Sequence, residues 1–277
     1  MNTPKRMLRP WRCLVYEQRN RFVGRNSIKE NRRFHARELI RLRATLTSGC
    51  PRARVVVVVP TCNRPEGLVH AVETALAQSF RNLAVVVVDD GAGLPALPTD
   101  PRLIAVSLCR NSATPGLVRN IGIDLSDSEF VAFLDDDNVW TPEHVATAVS
   151  ALDADPGLSA VYTSVSRMRP DGTELDVLGS PFDRRRLQWD PYIDVNSVVV
   201  RRSCNRGFSV LPRTKETLPK EDWEYVWQLS RRGRIEHVPK VTVRYAINPE
   251  SYFTDWADDA RASARQTALA VPQQEEQ

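Results

Sequence analysis

The 277-residue chain is 42% hydrophobic, enough to bury a sizeable core as one large domain or two small ones. Its longest uninterrupted apolar runs, Val55 to Val59 and Leu83 to Val88, are too short to cross a bilayer, and the N-terminus has no apolar signal-peptide core, so a soluble cytoplasmic protein is expected. The net charge of +4 hides an asymmetry, because residues 1 to 54 hold 15 of the 38 Lys+Arg and only 3 of the 34 Asp+Glu, a local balance of +12 that leaves the rest of the chain at −8.

That basic arm could serve nucleic acid, an anionic lipid surface or an acidic partner. Of the 38 basic residues 33 are Arg, an excess that GC-rich coding DNA produces without selection for binding. The five cysteines, Cys13, Cys50, Cys62, Cys109 and Cys204, are odd in number, scattered and free of any CxxC pair. They argue against a disulfide framework and against a zinc site, which again points to a reducing compartment.

Residues 1 to about 25 have no clean periodicity, although Trp11, Leu14, Val15, Tyr16 and Phe22 would need covering. Ser27 to Leu46 reads as a helix with a narrow apolar stripe that includes Phe34, Leu39, Ile40 and Leu46, ended by Ser48-Gly49. Such a helix could pack on the main domain, join two copies into a homodimer, or lie peripherally on the inner face of a membrane. Arg54 to Pro60 is a nearly continuous valine run, the mark of a strand buried on both faces of a parallel sheet. A helix follows, opened by Pro65, with Leu68, Val72, Ala75 and Leu76 at helical spacing. Strands are expected at Asn82–Val88 and Leu103–Leu108, a helix at Thr114–Leu125, and a strand at Phe130–Leu134.

That last strand ends in Asp135-Asp136-Asp137. Three acids on one strand tip repel one another unless a cation or a ligand's donors absorb the charge, and carboxylate oxygens are what Mg²⁺ or Mn²⁺ prefer. A solvated acidic turn is the plainer alternative. The two other buried strands end in Pro60-Thr61-Cys62-Asn63-Arg64 and in Asp89-Asp90. In an open α/β sheet wound like a nucleotide-binding fold the ligand lies across the carboxyl ends of the strands, so three polar tips far apart in sequence meet there.

Further on, Thr141-Pro142-Glu143 starts a helix carrying Val145, Ala148, Val149 and Leu152. Ala160–Met168 and Val195–Arg201 read as strands, and the stretch between them, after the Pro170-Asp171-Gly172 turn, as irregular. Arg202–Pro219 reads as loop, Lys220–Arg232 as a helix with the core stripe Trp223, Val226 and Trp227, and His237–Ala246 as the last strand. An Ala/Arg helix is expected from about Asp255 to Val271, before a disordered tail.

In order, Val-Val-Val-Pro-Thr-Cys-Asn-Arg, then Val-Val-Asp-Asp-Gly, then Gly116-Leu-Val-Arg119-Asn120-Ile-Gly122, then Phe-Leu-Asp-Asp-Asp-Asn, then Glu221-Asp222-Trp223 resembles the family 2 glycosyltransferases of the GT-A fold. The resemblance runs from about Val55 to Tyr245. It implies an α/β GT-A fold with a mostly parallel central sheet flanked by helices, and inverting transfer of one sugar from a nucleoside-diphosphate donor to an acceptor hydroxyl, with Mn²⁺ or Mg²⁺. The setting it implies is envelope glycan, glycolipid or natural-product glycosylation, with no nucleic acid partner. Under the resemblance, residues 1–53 are a basic, partly helical extension, 54–250 the catalytic domain (54–140 the nucleotide-binding half, 141–250 the acceptor half), and 251–277 a helical segment and tail.

By motif match, Pro60, Thr61 and Cys62 would meet the edge of the base, Asp90 would accept a hydrogen bond from the base ring, and Arg64 and Arg119 would serve the diphosphate. Asp136 would hold the ribose and Asp137 the metal, with Asp135 as the first acid of the DxD signature. Asp222 matches the general base, and only one of Glu221 and Asp222 should face the reaction centre, since adjacent helical residues differ by about 100°. Two departures stand out: Cys62 replaces a common aromatic, and Asn248 stands where relatives often have a metal-proximal His, leaving it as a candidate ligand. The QxxRW run of processive relatives is not matched by Gln228-Leu229-Ser230-Arg231-Arg232. Without a Gly-rich loop after the first strand, or a GxGxxG, a nucleotidyltransferase or dinucleotide oxidoreductase has no support. A non-catalytic nucleotide-sugar or nucleic-acid binding module using the Arg-rich arm is the competing reading.

Overall fold

The computed structural model describes residues 12–46, 49–213 and 220–247. Two helices, α1 (Arg12–Val23) and α2 (Arg25–Thr45), precede the strand β1 (Val55–Thr61), helix α3 (Pro65–Leu76), strands β2 (Leu83–Asp89) and β3 (Leu103–Ser107), helix α4 (Pro115–Asp124) and strand β4 (Phe130–Phe133). The second half adds β5 (Asn138–Trp140), α5 (His144–Ala154), β6 (Leu158–Met168), β7 (Glu174–Leu178), α6 (Arg184–Leu187), β8 (Val198–Arg201), α7 (Glu221–Ser230) and β9 (Arg234–Ala246).

The strands form one nine-stranded sheet in the order β3-β2-β1-β4-β8-β6-β9-β5, with β7 added on β6. From β3 to β4 every pairing is parallel. Beyond β4 the sheet is mixed: β8 pairs antiparallel with both β4 and β6, whereas β6 and β9 run parallel. The valine runs explain the layering. Side chains alternate along a strand, so Val56 and Val58 enter the same core as Val86, Val88, Val131 and Phe133, while Val55, Val57 and Val59 enter the other with Val85, Val87, Phe130 and Ala132. The first core is closed by α2, α4 and α7 through Phe34, Leu42, Leu117, Ile121, Trp223 and Trp227. The second is closed by α3 and α5 through Leu68, Val72, Val145 and Leu152. A side chain at Gly122 would strike Val58, so glycine is what lets α4 lie close on β1.

The helix expected at Ser27–Leu46 packs on the main domain, the first of its three anticipated placements. The preceding α1 escaped the sequence reading for a physical reason: among its described side chains the buried ones, Glu17 and Asn20, are polar and give no apolar stripe to detect. Glu17 is held by Arg21 at 2.7 Å and by Arg231, the C-cap of α7, at 3.0 Å. The stretch read as irregular contains β7 and the short α6, whose cap is the Asp183 side chain accepting from Arg185 and Arg186 N–H. Val195–Ser197 is a single 3₁₀ turn, and the strand begins only at Val198. Among the described residues no helix is long and apolar enough to cross a membrane. Asn248 and the expected C-terminal helix lie outside the described residues.

Candidate active site

Because β1, β2 and β4 are parallel neighbours, their carboxyl ends share one edge of the sheet, and α7 comes to the same edge from the second half. A cleft of about 320 Å³ opens there. It is lined by Pro60, Thr61, Cys62, Arg64, Asp90, Arg119, Asp135, Asp136, Asp137 and Asp222, which are all the site residues named above except Asn248. Asn138, Asp194, Glu221 and Tyr245 line it too.

On one side the β1 loop folds back over the β4 tip. Asn63 takes a left-handed conformation (φ 55°), which Asn tolerates better than most residues, and the reversal carries Arg64 to the acids. Arg64 Nη1 donates to Asp136 Oδ1 at 2.9 Å and to Asp137 Oδ2 at 2.6 Å. Thr61 Oγ1 donates to the other Asp136 oxygen at 2.7 Å, so this buried carboxylate is held from two directions. A side chain at Gly67 would collide with the Asp136 carbonyl, which explains the glycine in the first turn of α3. Asp137 is more open. Burial and its neighbour Asp135 push its carboxyl up to about 6, while Arg64 opposes the rise.

Asp89 and Asp90 divide their work by alternation along β2. Asp89 is fully buried and accepts the N–H groups of Ala92 and Gly93, closing the turn after the strand. Asp90 faces the cleft and accepts from Ser112 N at 2.8 Å and Ala113 N at 3.1 Å. Those bonds hold Ala113 at φ 49°, a region alanine enters at a cost of about 1 kcal/mol or more. Cys62 accepts from Asn111 Nδ2 at 3.3 Å, and burial together with Asp90 pushes its thiol up, so it stays protonated rather than nucleophilic.

On the other side the decisive residue is Arg119. Expected beside a diphosphate, it lines the cleft with its guanidinium held by the protein: Nη2 donates to Asp135 Oδ1 at 2.5 Å and Nη1 to Glu221 Oε1 at 3.2 Å. Only 6% of the side chain is exposed, and Phe208 packs against it with the ring centroid 5.2 Å from the guanidinium carbon. The α4 face that carries Arg119 points into the wall between β4 and α7, which is why it clamps two acids rather than standing free.

Glu221 and Asp222 both line the cleft, contrary to the expectation that one would turn away. Glu221 reaches sideways to Arg119, while Asp222, half-buried, accepts the adjacent Trp223 N–H at 2.7 Å and has no cation partner among the described residues. Burial first, then Glu221, push the Asp222 carboxyl far up, to about 7. Trp223 belongs to the core, its indole donating to the Leu187 carbonyl at 2.6 Å.

Asn196 is a site residue that the sequence reading missed. It is fully buried; its Oδ1 accepts from Asp135 N at 2.6 Å, and its Nδ2 donates to Asp135 Oδ2 at 3.1 Å and Asp194 Oδ1 at 2.8 Å. Asp194 is itself raised to about 6 by burial and Asp135. The available signal was the Asp-x-Asn triplet just before a valine run, an Asx-type turn at the mouth of a strand.

Seven carboxylates and two arginines line the cleft among the described residues. No group of three or more His, Cys, Asp and Glu is gathered there as a metal cage. Divalent ions that serve phosphate chemistry commonly use one or two carboxylates and complete their shell with water and substrate oxygens. Asp137 fits that mode, since its raised carboxyl is what an acid beside uncompensated acids becomes when only one guanidinium faces it.

The glycosyl transferase family 2 profile matches residues 56–197, just over half of the chain. The chain belongs to glycosyl transferase family 2. It is 37% identical over 161 residues to the succinoglycan biosynthesis protein ExoO of Rhizobium meliloti, covering 56% of this chain and 45% of that protein. With ExoW of the same organism it is 34% identical over 109 residues, 36% of this chain and 34% of the relative. The chain therefore aligns with a third to a half of the length of these curated relatives. Among solved structures it resembles TarS 1-349 of S. aureus with UDP-GlcNAc (TM-score 0.57, 19% identity, 78% of this chain and 66% of that one). It also resembles the mannosyltransferase PcManGT of Pyrobaculum calidifontis with GDP-Man and Mn²⁺ (TM-score 0.52, 19% identity, 84% and 70%). At that identity the two structures establish the shared GT-A fold, with the family 2 match lying on the strands and tips that build the cleft.

Proposed function

We propose that the chain transfers a single sugar, with inversion, from a nucleoside-diphosphate donor to an acceptor hydroxyl, and that the 320 Å³ cleft is where both substrates meet. The observation that carries this reading is the convergence of the β1, β2 and β4 tips with the Glu221-Asp222 start of α7 on one opening. Residues 54–140 supply the donor side and residues 141–250 the acceptor side.

The base lies against Pro60 and Cys62, with Asp90 fixing the loop at residues 112–113 that borders it. Asp136, already oriented by Thr61 and Arg64, offers its remaining lone pairs to the ribose. Arg64 is the exposed cation available to phosphate oxygens. Asp137, with Asp135 beside it, would hold Mn²⁺ or Mg²⁺, which when bound neutralises charge growing on the departing diphosphate. A cleft this acidic repels a naked diphosphate, and the Mn²⁺ in the PcManGT complex supports a dication here.

Asp222 accepts the proton of the attacking hydroxyl. A carboxylate raised toward neutral pH is a stronger base than an ordinary one and remains deprotonated at mildly alkaline pH. Attack by a hydroxyl on the face opposite the diphosphate is a single displacement, which inverts the anomeric carbon. Arg119 and Asn196 do no chemistry; they fix Asp135 and Glu221, the acids beside Asp222. The succinoglycan biosynthesis names of ExoO and ExoW support a glycan under construction as the acceptor class.

A thermal-shift screen of UDP-, GDP- and dTDP-sugars, each with Mn²⁺, Mg²⁺ or EDTA, tests the donor half of the proposal. One nucleotide series should raise the melting temperature only with the metal present. Equal silence across all three series would remove the reading.

A further inference from the structure

The two N-terminal helices lie outside the family-matched residues and place polar side chains inward and apolar ones outward at several positions. Among the described side chains their inward positions include Glu17, Asn20, Asn31 and Glu38, all buried, beside Phe34 and Leu42, with Leu39 and Leu46 partly buried against the core. Their outward positions include Val15, Phe22, Val23 and Ile40, between 54% and 85% exposed. Four of the seven large apolar side chains exposed among the described residues are therefore on this one hairpin.

The inward polar groups are satisfied, so this placement is built in. Glu17 pairs with Arg21 and Arg231, Asn31 Nδ2 donates to the Val210 carbonyl at 2.8 Å, and Glu38 accepts from Arg41 and from Cys109 N. Outward along α2 run Arg25, Lys29, Arg33 and Arg37, exposed at four-residue spacing and continued by Ile40. Beside the α1–α2 corner a groove of about 880 Å³ has Arg21, Arg32, Arg206 and Arg232 on its walls. All four are exposed.

We propose that this hairpin is a docking face for an anionic lipid surface. Phe22 and Val23 enter the headgroup layer, the α2 cations lie over acidic headgroups, and the arginine-walled groove seats a headgroup phosphate. A helix face that is both cationic and apolar on its solvent side is what interfacial binding selects. A second copy of this chain is disfavoured by charge, since a two-fold contact would press one basic stripe against another. Nucleic acid accounts for the cations and leaves exposed Phe22, Val23 and Ile40 without a use.

None of these residues touches the cleft, so vesicle binding and donor binding can fail separately. The test is co-sedimentation of the full chain with vesicles of phosphatidylcholine alone and of phosphatidylcholine mixed with phosphatidylglycerol. Binding to the mixed vesicles is expected at low salt, with loss at high salt. The triple variant Lys29→Glu, Arg33→Glu, Arg37→Glu should weaken partitioning by about tenfold or more, and Phe22→Ser by less. Both variants should keep the wild-type melting temperature and donor-induced shift. A folded wild-type chain that ignores mixed vesicles, or binding that neither variant changes, would overturn the proposal. So would a dimer abolished by Phe22→Ser without vesicle binding, or duplex DNA that outcompetes the vesicles for the same cations.

Discussion

The two sides of the cleft are built alike and differ in one respect. Each has a pair of carboxylates bridged by one arginine: Asp136 and Asp137 by Arg64, Asp135 and Glu221 by Arg119. Arg64 is 43% exposed, however, and Arg119 only 6%. Arg64 is open to water and Asp136 keeps the Thr61 hydroxyl when the bridge opens, so this arginine can turn to an incoming anion. A buried bridge cannot open without stranding charge, so its arginine is permanent scaffold. The donor side can thus exchange partners, while the side that presents the base is fixed.

The largest expected effect lies on the fixed side. Asp222→Asn should lower kcat by about 10²- to 10⁴-fold, the range for loss of a general base, with the donor-induced thermal shift unchanged. Full activity in that variant would move the base to Glu221. On the exchangeable side, Asp137→Ala, or EDTA on the wild type, should abolish metal-dependent donor binding in calorimetry while the fold persists.

Next come the two arginines themselves, compared by chemical denaturation. Arg119→Met leaves the buried Glu221 and the partly buried Asp135 without their cation and should cost about 3 to 5 kcal/mol. Arg64→Ala should cost less, because Arg64 is partly exposed and Asp136 keeps the Thr61 hydrogen bond, and should act chiefly on donor affinity. Equal destabilisation by the two would erase the distinction between the sides.

The smallest effect is in pH. Asp222 must be deprotonated to accept a proton, and its carboxyl is raised to about 7, so kcat should climb as pH rises through neutrality rather than near an ordinary carboxylate value. The same shift has the opposite sign for stability. Asp222 and Asp194 bind protons more tightly folded than unfolded, so their contribution is complete below about pH 4 and is lost as pH rises through 6 to 7. The ligand-free melting temperature should therefore fall between pH 5 and pH 8, less steeply in Asp222→Asn.

Much of this was legible in the sequence because the signals were local. The valine runs marked strands buried on both faces, and parallel strands bring their tips to one edge, so the meeting of Asp90, Asp137 and Arg64 follows from topology alone. Arg119 was harder. A cation in a nucleotide-binding motif suggests phosphate, and only the packing of α4 against α7 reveals that Glu221 and Asp135 already occupy it. Asn196 left only the Asp-x-Asn triplet as a mark, because its role consists of contacts to residues two and sixty-one positions away. In the N-terminal hairpin α2 was readable from its stripe, but α1 defeated periodicity, since its described buried side chains Glu17 and Asn20 are polar and its exposed ones Val15, Phe22 and Val23 apolar.

The most direct test of the account is a crystal structure with Mn²⁺ and the nucleotide sugar selected by thermal shift. Diphosphate oxygens between Arg64 and Asp137, with the anomeric carbon turned toward Asp222 and Arg119 still bridging Asp135 and Glu221, are the expected result. A donor seated anywhere else, the arginine-walled groove included, or an Arg119 swung onto the phosphates, would contradict it.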